Sequence, residues 1–346
     1  MINTEKKILL LGRQITENDP DRIGGVIALF ELLKNDLSSL GVDYDVHDTN
    51  RHNYKSSIHF FFSITIRILS GFKNKSHISL HGTANDFFYL APLVVFFGKF
   101  VFKSHVSLRK FAGNFDELFD NAGLIKKWLA RYAMKNADAV FFETKYLKEI
   151  FRPFNKKTFW FPNVRAESSY QTDLMFKKRF VFIGQVKKTK GINEILAVFP
   201  GLPREYSIDI YGPLSAEYRK DDFLLPNVTY KGPIAPDDAP KILSGYDVLV
   251  LPTYHPGEGY PGVIIEAFSV GVPVISTNMR GIREIVNEDV GVLIDGGSAD
   301  QLLTAVCYFN SNNYNQYHAA SMKSFSLFDA EIQAKEFISL LDEKIL

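Results

Sequence analysis

The sequence of 346 residues predicts an α/β protein with two Rossmann-like domains, each built on a parallel sheet. Short apolar runs of strand length alternate with helix-length segments along the whole chain, which is typical of parallel sheets. A strand–glycine–helix turn of the phosphate-binding kind occurs in both halves. The chain is also too long for one hydrophobic core and has a suitable length for two.

The first domain is predicted over residues 1–168 and opens with a buried strand over residues 7–12, KILLLG. After a polar loop, Gly24 and Gly25 precede a helix, and two glycines at a helix start allow a ligand to approach the backbone closely. The loop does not contain the pattern G-x-G-x-x-G, which argues against a dinucleotide site. The apolar positions of the helix recur at helical spacing: Val26, Leu29, Phe30, Leu33 and Leu37.

A second predicted strand, residues 42–46, contains Asp43 and Asp45. Paired carboxylates can bind a metal ion. Here the two acids alternate along a strand with Asp48 nearby, and no other feature of the sequence supports a metal site. We interpret them as a solvated strand end and expect no metal.

Two further predicted strands end in residues that could bind a ligand. The strand over residues 78–82 ends in His81-Gly82, and the strand over residues 101–108 is followed by Arg109. Ligand residues of open α/β sheets lie at the carboxyl ends of the strands. His81 can equally be a hydrogen-bonded structural residue. Arg109 is a permanent cation suited to phosphate.

A helix is predicted over residues 115–135, with an apolar side and a basic side. The residues expected to face inward are Leu118, Ile125, Trp128, Leu129 and Tyr132. The basic side consists of Lys126, Lys127, Arg131 and Lys135. This basic side is either a solvated face or a peripheral contact with an anionic membrane.

The second domain is predicted over residues 178–329 and begins with the strand and turn FVFIG, residues 180–184. Lys190 and Gly191 then open a helix, an arrangement suited to a diphosphate. Lys187 and Lys188 are either a solvated run or additional phosphate cations.

The most informative stretch covers residues 247–277, DVLVLPTYHPGEGYPGVIIEAFSVGVPVIST. It predicts a buried strand, a glycine-rich loop, a helix that begins at Pro261 and ends at Gly271, and a second buried strand. The backbone N–H groups of this loop and the positive end of the helix would point to one place. This arrangement is suited to an anion.

Two carboxylates flank this predicted anion site. Glu258 lies in the loop and Glu266 one turn into the helix, with seven residues between them. An acid beside an anion site should repel the anion. The arrangement makes sense if Glu258 faces a sugar and Glu266 a ribose, while the amides between them bind a pyrophosphate. Alternatively, Glu258 is a solvated loop acid and Glu266 a favourable first-turn helix acid.

The spacing of these two acids, with EAFSVGVPVIST behind them, resembles the donor-site signature of glycosyltransferase family 4, retaining enzymes of the GT-B fold. The family pattern is roughly E-G-aromatic-G, four residues, E-A, then G-x-P-V. This sequence has Pro261 where the family often has glycine. The resemblance implies two Rossmann-like domains that face each other across a donor-binding cleft. It also implies that a C-terminal helix, residues 330–346, crosses back onto the first domain.

The resemblance further implies roles for particular residues. Glu258, Arg109 and His81 are the catalytic candidates. Many relatives have a sugar-binding histidine at the position of Arg109, and His81 is the alternative for that contact. The family also has an arginine where this chain has Gln185. The donor-binding candidates are Gly24, Gly25, Gly184, Gln185, Lys190, Gly259, Tyr260, Pro261, Gly262, Val263 and Glu266.

Charge is divided unequally between the two halves of the chain. Residues 1–170 contain 24 Lys or Arg and 17 Asp or Glu, whereas residues 171–346 contain 16 and 22. A basic first half predicts an anionic partner, such as membrane lipid or a lipid diphosphate. No nucleic-acid-binding motif is present, so nucleic acid is not an expected partner. The single cysteine, Cys307, excludes an intramolecular disulfide and is expected in the core.

We therefore expect a retaining, metal-independent transferase without a further cofactor. It would move a hexosyl or N-acetylhexosaminyl group from a nucleoside-diphosphate sugar to a glycan acceptor. UDP is favoured by family frequency, and a lipid-diphosphate-linked acceptor in O-antigen, capsule or exopolysaccharide synthesis is favoured by analogy. A nucleotide-sugar epimerase of the same fold and a non-catalytic nucleotide-sugar-binding scaffold are the alternatives.

The sequence also predicts a cytoplasmic protein at the inner face of the cell membrane. The first residues contain too few apolar side chains for a signal peptide. The longest uncharged apolar run, residues 87–98, is shorter than the roughly 20 residues that a spanning helix needs.

Overall fold

The structure, a computed structural model, describes residues 8–15, 25–56, 59–60, 62–66 and 77–343. The chain divides into two compact units, one of Met1–Asn163 with Ala330–Leu346 and the other of Val164–Asp329. The division after Asn163 falls earlier than the end at residue 168 that the sequence suggested. The last segment of the chain belongs to the first unit.

The first unit is built on a sheet of six parallel strands in the order β2-β1-β3-β4-β5-β6. The strands are β1 (Ile8–Gly12), β2 (Tyr44–Asp48), β3 (His77–Gly82), β4 (His105–Lys110), β5 (Ala139–Phe142) and β6 (Thr158–Trp160). The helices described in this unit are α1 (Gly25–Ser39), α2 (Ala84–Val95), α3 (Phe115–Asp120), α4 (Leu124–Asn136), α5 (Lys145–Phe151) and, at the end of the chain, α12 (Ala330–Glu343).

The second unit repeats this architecture with six parallel strands in the order β12-β11-β10-β7-β8-β9. The strands are β7 (Arg179–Ile183), β8 (Ser207–Tyr211), β9 (Val228–Gly232), β10 (Val248–Leu251), β11 (Val274–Thr277) and β12 (Gly291–Ile294). The helices are α6 (Ile192–Val198), α7 (Ala239–Leu243), α8 (Gly262–Ser269), α9 (Ile282–Ile285), α10 (Ala299–Tyr308) and α11 (Tyr314–Phe325). The predicted α/β class with two parallel sheets is confirmed.

The buried strands explain the continuous apolar runs of the sequence. Every residue of β1, β3, β10 and β11 is buried, because helices cover both faces of a parallel sheet. In α1, the buried positions recur at helical spacing and pack toward the sheet: Ile27, Leu29, Phe30, Leu33 and Leu37. All carboxyl strand ends of one sheet meet at a single edge, which is where the candidate residues lie.

One helix of the first unit is long and apolar enough to cross a membrane by length and composition. It covers Ala84–Val101, and half of this 18-residue window, whose mean hydropathy is 1.3, is buried in the protein. Its last part, Phe96–Val101, is a π-helix, so β4 begins at His105 and not at the predicted residue 101. Six apolar side chains of α2 pack in the core of the unit, which accounts for its composition: Phe87, Phe88, Leu90, Ala91, Val94 and Val95.

The prediction of one helix over residues 115–135 is wrong. The chain forms two helices, α3 and α4, separated by a turn over residues 121–123. This turn changes the phase of the second helix, so α4 buries the small residues Ala130 and Ala133 together with Met134. The predicted inward residues Leu118, Ile125 and Trp128 are exposed.

One smaller prediction also differs from the structure. Cys307 is exposed, because α10 turns this position away from the sheet. Asp43 and Asp45 are exposed, as the interpretation of a solvated strand end requires. Asp48 organises a turn by accepting hydrogen bonds from the backbone N–H groups of Gln14 (3.0 Å) and Asn50 (2.7 Å). Among the described residues, no group of three or more His, Cys, Asp or Glu side chains could hold a metal ion.

Candidate functional site

The turn after β7 is closely packed against the turn after β10. Residues Lys188–Lys190 form a 3-10 turn, and Gly191 then starts α6 with a positive φ of 80°. A β-carbon at Gly191 would lie 2.4 Å from the carbonyl oxygen of Pro252. Only glycine satisfies both the backbone conformation and this approach.

Hydrogen bonds join the same two turns. The backbone N–H of Tyr254 donates to the carbonyl of Thr189 at 2.8 Å, and the hydroxyl of Thr253 donates to the same carbonyl at 3.3 Å. These contacts bring the lysines of one turn next to the acidic loop of the other. The two motifs that the sequence analysis singled out in the second domain are therefore parts of one site.

Lys190 and Glu258 form an ion pair at the centre of this site. The Lys190 Nζ donates to Glu258 Oε1, and the Thr253 hydroxyl oxygen lies 3.2 Å from the same oxygen, which is an alternative acceptor for its proton. Their side chains are only 16% and 13% exposed, so the pair is partly withdrawn from water. Burial lowers the pKa of Lys190 to about 8, and the neighbouring charge of Lys187 acts in the same direction.

His255 lies beside this pair and was not among the predicted site residues. Its Nε2 is 3.4 Å from Lys187 Nζ, and its Nδ1 is 3.4 Å from the Thr189 hydroxyl. Burial lowers the pKa of His255, and the charges of Lys187 and Lys190 lower it further. The imidazole is therefore neutral at neutral pH and can accept a hydrogen bond from a neighbouring group.

The start of α8 is open to an anion. Pro261 is the N-cap residue and Gly262 begins the helix, one position later than the start at Pro261 that the sequence suggested. Among the described residues, no side chain caps this end, and the first turn contains no acid. The first N–H groups of a helix have no intrahelical partners, so those of Gly262 and Val263 are suited to bind a negatively charged ligand.

Tyr260 is directed into the protein. Its ring is buried and packs edge-on against Phe328 with the ring centroids 6.1 Å apart. Its hydroxyl donates to Glu284 Oε2 at 2.5 Å, and a β-carbon at Gly281 would lie 2.3 Å from the Gly259 carbonyl oxygen. Tyr260 and Gly259 thus fix the loop before α8, and only the backbone of Tyr260 remains for a ligand.

Glu266 forms an ion pair with a residue that the sequence analysis missed. Arg165 Nε donates to Glu266 Oε1 at 2.5 Å, and Arg165 Nη1 donates to the carbonyl of Val164 at 2.8 Å. A β-carbon at Gly262 would lie 1.5 Å from Arg165 Nη2, so the glycine makes room for the guanidinium at the start of α8. The contact spans 101 residues of sequence, and no local pattern indicates it.

His81 is a core residue of the first unit. The side chain is fully buried, and its ring packs against those of Phe30 and Phe337 with centroids 5.4 and 5.8 Å apart. His81 Nε2 lies 2.9 Å from the Ser79 hydroxyl, which accepts from Ser107 at 2.8 Å. Burial lowers the pKa of His81 well below its ordinary value. The geometry favours the structural interpretation of this residue.

Arg109 is also buried, although the sequence suggested a phosphate ligand. Its guanidinium lies 3.4 Å from the ring centroid of Phe161 and 4.7 Å from that of Phe111. Arg109 Nη2 donates to the carbonyl of Pro162 at 3.1 Å. Burial lowers the pKa of Arg109 to about 9, and the charge of Glu143 opposes that shift. These contacts fix the segment that leaves the first unit.

The remaining predicted site residues are Gln185 and three glycines. Gly184 follows β7, and Gln185 is exposed. Gly25 begins α1 and is exposed, with no atom within 4 Å of a β-carbon placed there. Gly24 lies outside the described residues.

The comparisons with known proteins identify a class and then a family. The fold is that of the GT-B glycosyltransferases, as shown by the solved structure of HepE from Anabaena in complex with UDP. The TM-score is 0.73, 97% of this chain and 99% of that chain are covered, and the sequences are 15% identical. At this identity the likeness shows the fold alone.

The match to a protein-family model lies within the second unit. Residues 177–312 match the model of the family described as Glycosyl transferases group 1, and the resemblance to glycosyltransferase family 4 is confirmed. CapM of Staphylococcus aureus, a capsular polysaccharide biosynthesis glycosyltransferase, is 30% identical over 149 residues, or 40% of this chain and 38% of CapM. A GDP-mannose-dependent alpha-(1-6)-phosphatidylinositol monomannoside mannosyltransferase of Mycobacterium tuberculosis is 30% identical over 159 residues, or 42% of this chain and 41% of that protein. The matched regions thus span about four tenths of these relatives.

Proposed function

We propose that the protein is a retaining glycosyltransferase. It transfers a hexosyl or N-acetylhexosaminyl group from a nucleoside-diphosphate sugar to a glycan acceptor of a surface polysaccharide. The observation that supports this most directly is the meeting of Lys190 and Glu258 beside the uncapped start of α8. A cation and helix N–H groups suit a diphosphate, and a carboxylate suits the hydroxyl groups and developing positive charge of a sugar.

The ion pair between Lys190 and Glu258 has to open when the donor binds. In the protein without donor, Lys190 and Glu258 neutralise each other. We propose that the donor replaces this contact with two others: its β-phosphate pairs with Lys190, and its sugar hydroxyls bind Glu258. Each side chain then exchanges one charged or polar partner for another, so neither is left unpaired in a partly buried site.

The chemistry is mainly stabilisation of the leaving group. The bond between the sugar C1 and the β-phosphate oxygen breaks, and its electron pair goes to the phosphate. The acceptor hydroxyl forms the new C1–O bond on the same face of the sugar, and its proton passes to the departing phosphate oxygen. Lys190 and the N–H groups of Gly262 and Val263 stabilise the charge that builds on the diphosphate. Glu258 stabilises the positive charge on the sugar ring.

Glu266 and Arg165 complete the proposed donor site. We propose that Arg165 holds Glu266 in position for the ribose hydroxyls and adds a positive charge near the diphosphate. The family pattern has an arginine where this chain has Gln185, so Arg165 would supply a cation from another segment. Arg109 and His81 are not part of this proposal, because both side chains are buried in the first unit.

The donor base and the acceptor are proposed by analogy. HepE was solved with UDP, whereas the mycobacterial relative is GDP-mannose-dependent, and we propose a UDP-sugar as the first candidate. The name of CapM supports a capsule-type glycan. We propose a lipid-diphosphate-linked acceptor and a location at the cytoplasmic face of the membrane.

The first experiment is a thermal-shift panel with UDP, GDP, ADP and CMP, each with and without EDTA. Binding to the folded protein raises the midpoint, by the linkage of ligand binding to unfolding. We expect a shift with one nucleoside diphosphate that EDTA does not change. That base then selects the sugars for a transfer assay, in which NMR reports the anomeric configuration of the product. No shift with any nucleotide, or an inverted product, would overturn the proposal.

A further inference from the structure

The start of α4 exposes three large apolar side chains within about one helical turn. Leu124 is 86% exposed, Ile125 76% and Trp128 63%. Positions four apart, such as 124 and 128, are neighbours on a helix surface, so Leu124 and Trp128 form one patch with Ile125 beside it. The helix is held to the protein by other residues, Ala130, Ala133 and Met134. The three exposed side chains therefore do not serve the packing of α4.

The first turn of α4 carries positive charge that does not stabilise the helix. The helix contains four basic residues and no acidic ones: Lys126, Lys127, Arg131 and Lys135. None of the four forms an ion pair in the part of the chain that the structure describes. Lys126 and Lys127 lie in the first turn, where a positive charge is unfavourable next to the helix dipole. Arg131, by contrast, lies over the rings of Phe119 and Phe154, and Lys135 lies in the last turn, where a positive charge is favourable. The exposed apolar residues and the two lysines of the first turn thus point to a role outside the fold.

The neighbouring helix extends the same surface. Lys126 Nζ lies 5.5 Å from the ring centroid of the exposed Tyr89, which is on α2. Farther along, Lys99 donates to the carbonyl of Asn136 at 2.9 Å, so the two helical segments run side by side. Phe96, Phe100 and Val101 of the π-helix after α2 are exposed as well. We call Tyr89, Leu124, Ile125, Lys126, Lys127 and Trp128 the α4 surface.

We propose that the α4 surface binds an anionic lipid bilayer. Leu124, Ile125 and Trp128 would enter the boundary between headgroups and acyl chains, where tryptophan is favoured, and the lysines would contact anionic headgroups. The part of the sequence that contains this surface is basic, since residues 51–135 contain 13 Lys or Arg and 4 Asp or Glu. The exposed acids Glu117 and Asp120 of α3 offset part of this charge. Binding therefore needs the apolar contact as well as the lysines.

Charge favours a lipid surface over a second copy of the chain. A symmetric dimer through this patch would bring the same lysines of two copies together, and like charges across an interface are unfavourable. An anionic bilayer offers the opposite charge and an apolar layer behind it. The inference does not depend on the proposed transferase activity, because membrane binding can be measured without any donor.

The test is cosedimentation of the full-length protein with vesicles of phosphatidylcholine, with or without phosphatidylglycerol. We expect binding to the vesicles with phosphatidylglycerol at low salt and weaker binding at high salt. The triple variant Leu124→Ser, Ile125→Ser, Trp128→Ser should lose roughly tenfold or more in vesicle affinity, because it removes most of the apolar contact. The variant Lys126→Gln, Lys127→Gln should lose roughly five- to thirtyfold on anionic vesicles only. Leu224→Ser, at an equally exposed leucine of the second unit (80%), is the matched control and should bind as the wild type does.

Tryptophan fluorescence gives a direct reading of the contact. The chain has two tryptophans, so a Trp160→Phe protein reports on Trp128 alone. Its emission should shift to the blue when anionic vesicles are added, as the indole leaves water. All variants are first shown to be folded by their thermal midpoints. The changes at Leu124, Ile125, Trp128 and Leu224 should leave the midpoint close to that of the wild type, because these side chains are exposed. Trp160 is half-buried in β6, so each Trp160→Phe protein is compared with the Trp160→Phe parent.

Three outcomes would overturn the proposal. The first is a wild-type protein that binds no vesicles at low salt. The second is a triple variant that binds anionic vesicles as tightly as the Leu224→Ser control. The third is sedimentation that shows a wild-type dimer which the triple variant dissolves, because this would identify a second copy as the occupant of the surface.

Discussion

Lys190 in the second unit and Arg109 in the first unit both lie at the carboxyl end of a parallel sheet, yet their surroundings differ. Lys190 keeps 16% of its side chain exposed and pairs with Glu258, whereas Arg109 is 1% exposed between two phenylalanine rings. A position at the end of a strand is therefore not enough to make a residue a ligand residue. The packing around that position decides whether its charge meets a ligand or stabilises the fold.

The difference follows from what lies above each sheet edge. In the second unit, two glycine-containing turns meet there, and Lys190 keeps part of its side chain exposed beside Glu258. In the first unit, Phe111, Phe161 and Phe337 surround His81 and Arg109 and exclude water from both. A permanent cation between aromatic rings with one carbonyl acceptor is a structural arrangement. We infer that the first unit uses its cation to fix the segment around Pro162.

The largest expected effect is that of removing the carboxylate of the proposed sugar contact. Glu258→Ala should lower kcat by roughly 100- to 1000-fold or more, because the developing charge on the sugar loses its stabilising group. Nucleotide affinity should stay within a few fold or improve, since Lys190 is released from its ion pair. Glu288→Ala, at an exposed acid of the same unit, is the control and should leave both quantities unchanged. An active Glu258→Ala enzyme would contradict the proposed role.

The next effect tests the comparison directly by making the same substitution at both cations. Lys190→Met should weaken UDP binding by roughly ten- to a hundredfold, because a charge-assisted contact to phosphate is lost. Arg109→Met should leave UDP affinity unchanged. Its unfolding free energy should change little, since an apolar chain of similar length can replace a buried cation. Calorimetric titration measures both affinities, and denaturant unfolding measures the stability.

The opposite pattern would reverse our interpretation of the two units. If Arg109→Met lost nucleotide affinity and Lys190→Met kept it, the first unit would supply the phosphate cation. Arg109→Ala is less informative, because it leaves a cavity between Phe111 and Phe161 and destabilises the fold whatever the role of the arginine.

Much of the fold could be predicted because its determinants are local. Apolar runs such as residues 248–251 became strands, and the glycine and proline signals around α8 placed its ends within one or two residues. The helix over residues 115–135 was the main failure, since a three-residue turn changed which side of α4 faces inward. Periodicity describes an uninterrupted helix, and it does not indicate that α4 packs against α2 with Ala130, Ala133 and Met134 buried.

The candidate site, like the fold, could be predicted only in part. Lys190 and Glu258 could be predicted from motif spacing, although their direct contact could not. Arg165 had no local signal, because its partner Glu266 is 101 residues away in sequence. The burial of Arg109 depends on Phe161, a residue that directly follows β6. Local sequence patterns do not indicate contacts between distant segments. The missed role of Arg165 and the unexpected burial of Arg109 both depend on such contacts.

A smaller effect concerns pH and separates Lys190 from a permanent cation. The pKa of Lys190 is about 8 in the donor-free protein, so the amine is charged below pH 8 and neutral above it. Phosphate binding needs the charged form, so UDP affinity should fall by up to roughly tenfold per pH unit above 8. Lys190→Arg keeps its charge throughout and should show no such fall between pH 7 and about 9. Titrations at several pH values measure this difference, and an equal fall in both proteins would show that another group is responsible.

The smallest expected effect tests whether Gly262 makes room for Arg165 beside Glu266 in the second unit. Gly262→Ala would place a methyl group where Arg165 Nη2 now lies and would displace the guanidinium from Glu266. In the wild-type background we expect little net change in stability, because the helix gains roughly 0.5–1 kcal/mol from the alanine and loses the ion pair. In an Arg165→Ala background only the gain remains, so the same substitution should stabilise the protein. Denaturant unfolding of the four proteins gives the coupling between the two residues, and additive effects would show that Gly262 has no part in seating Arg165.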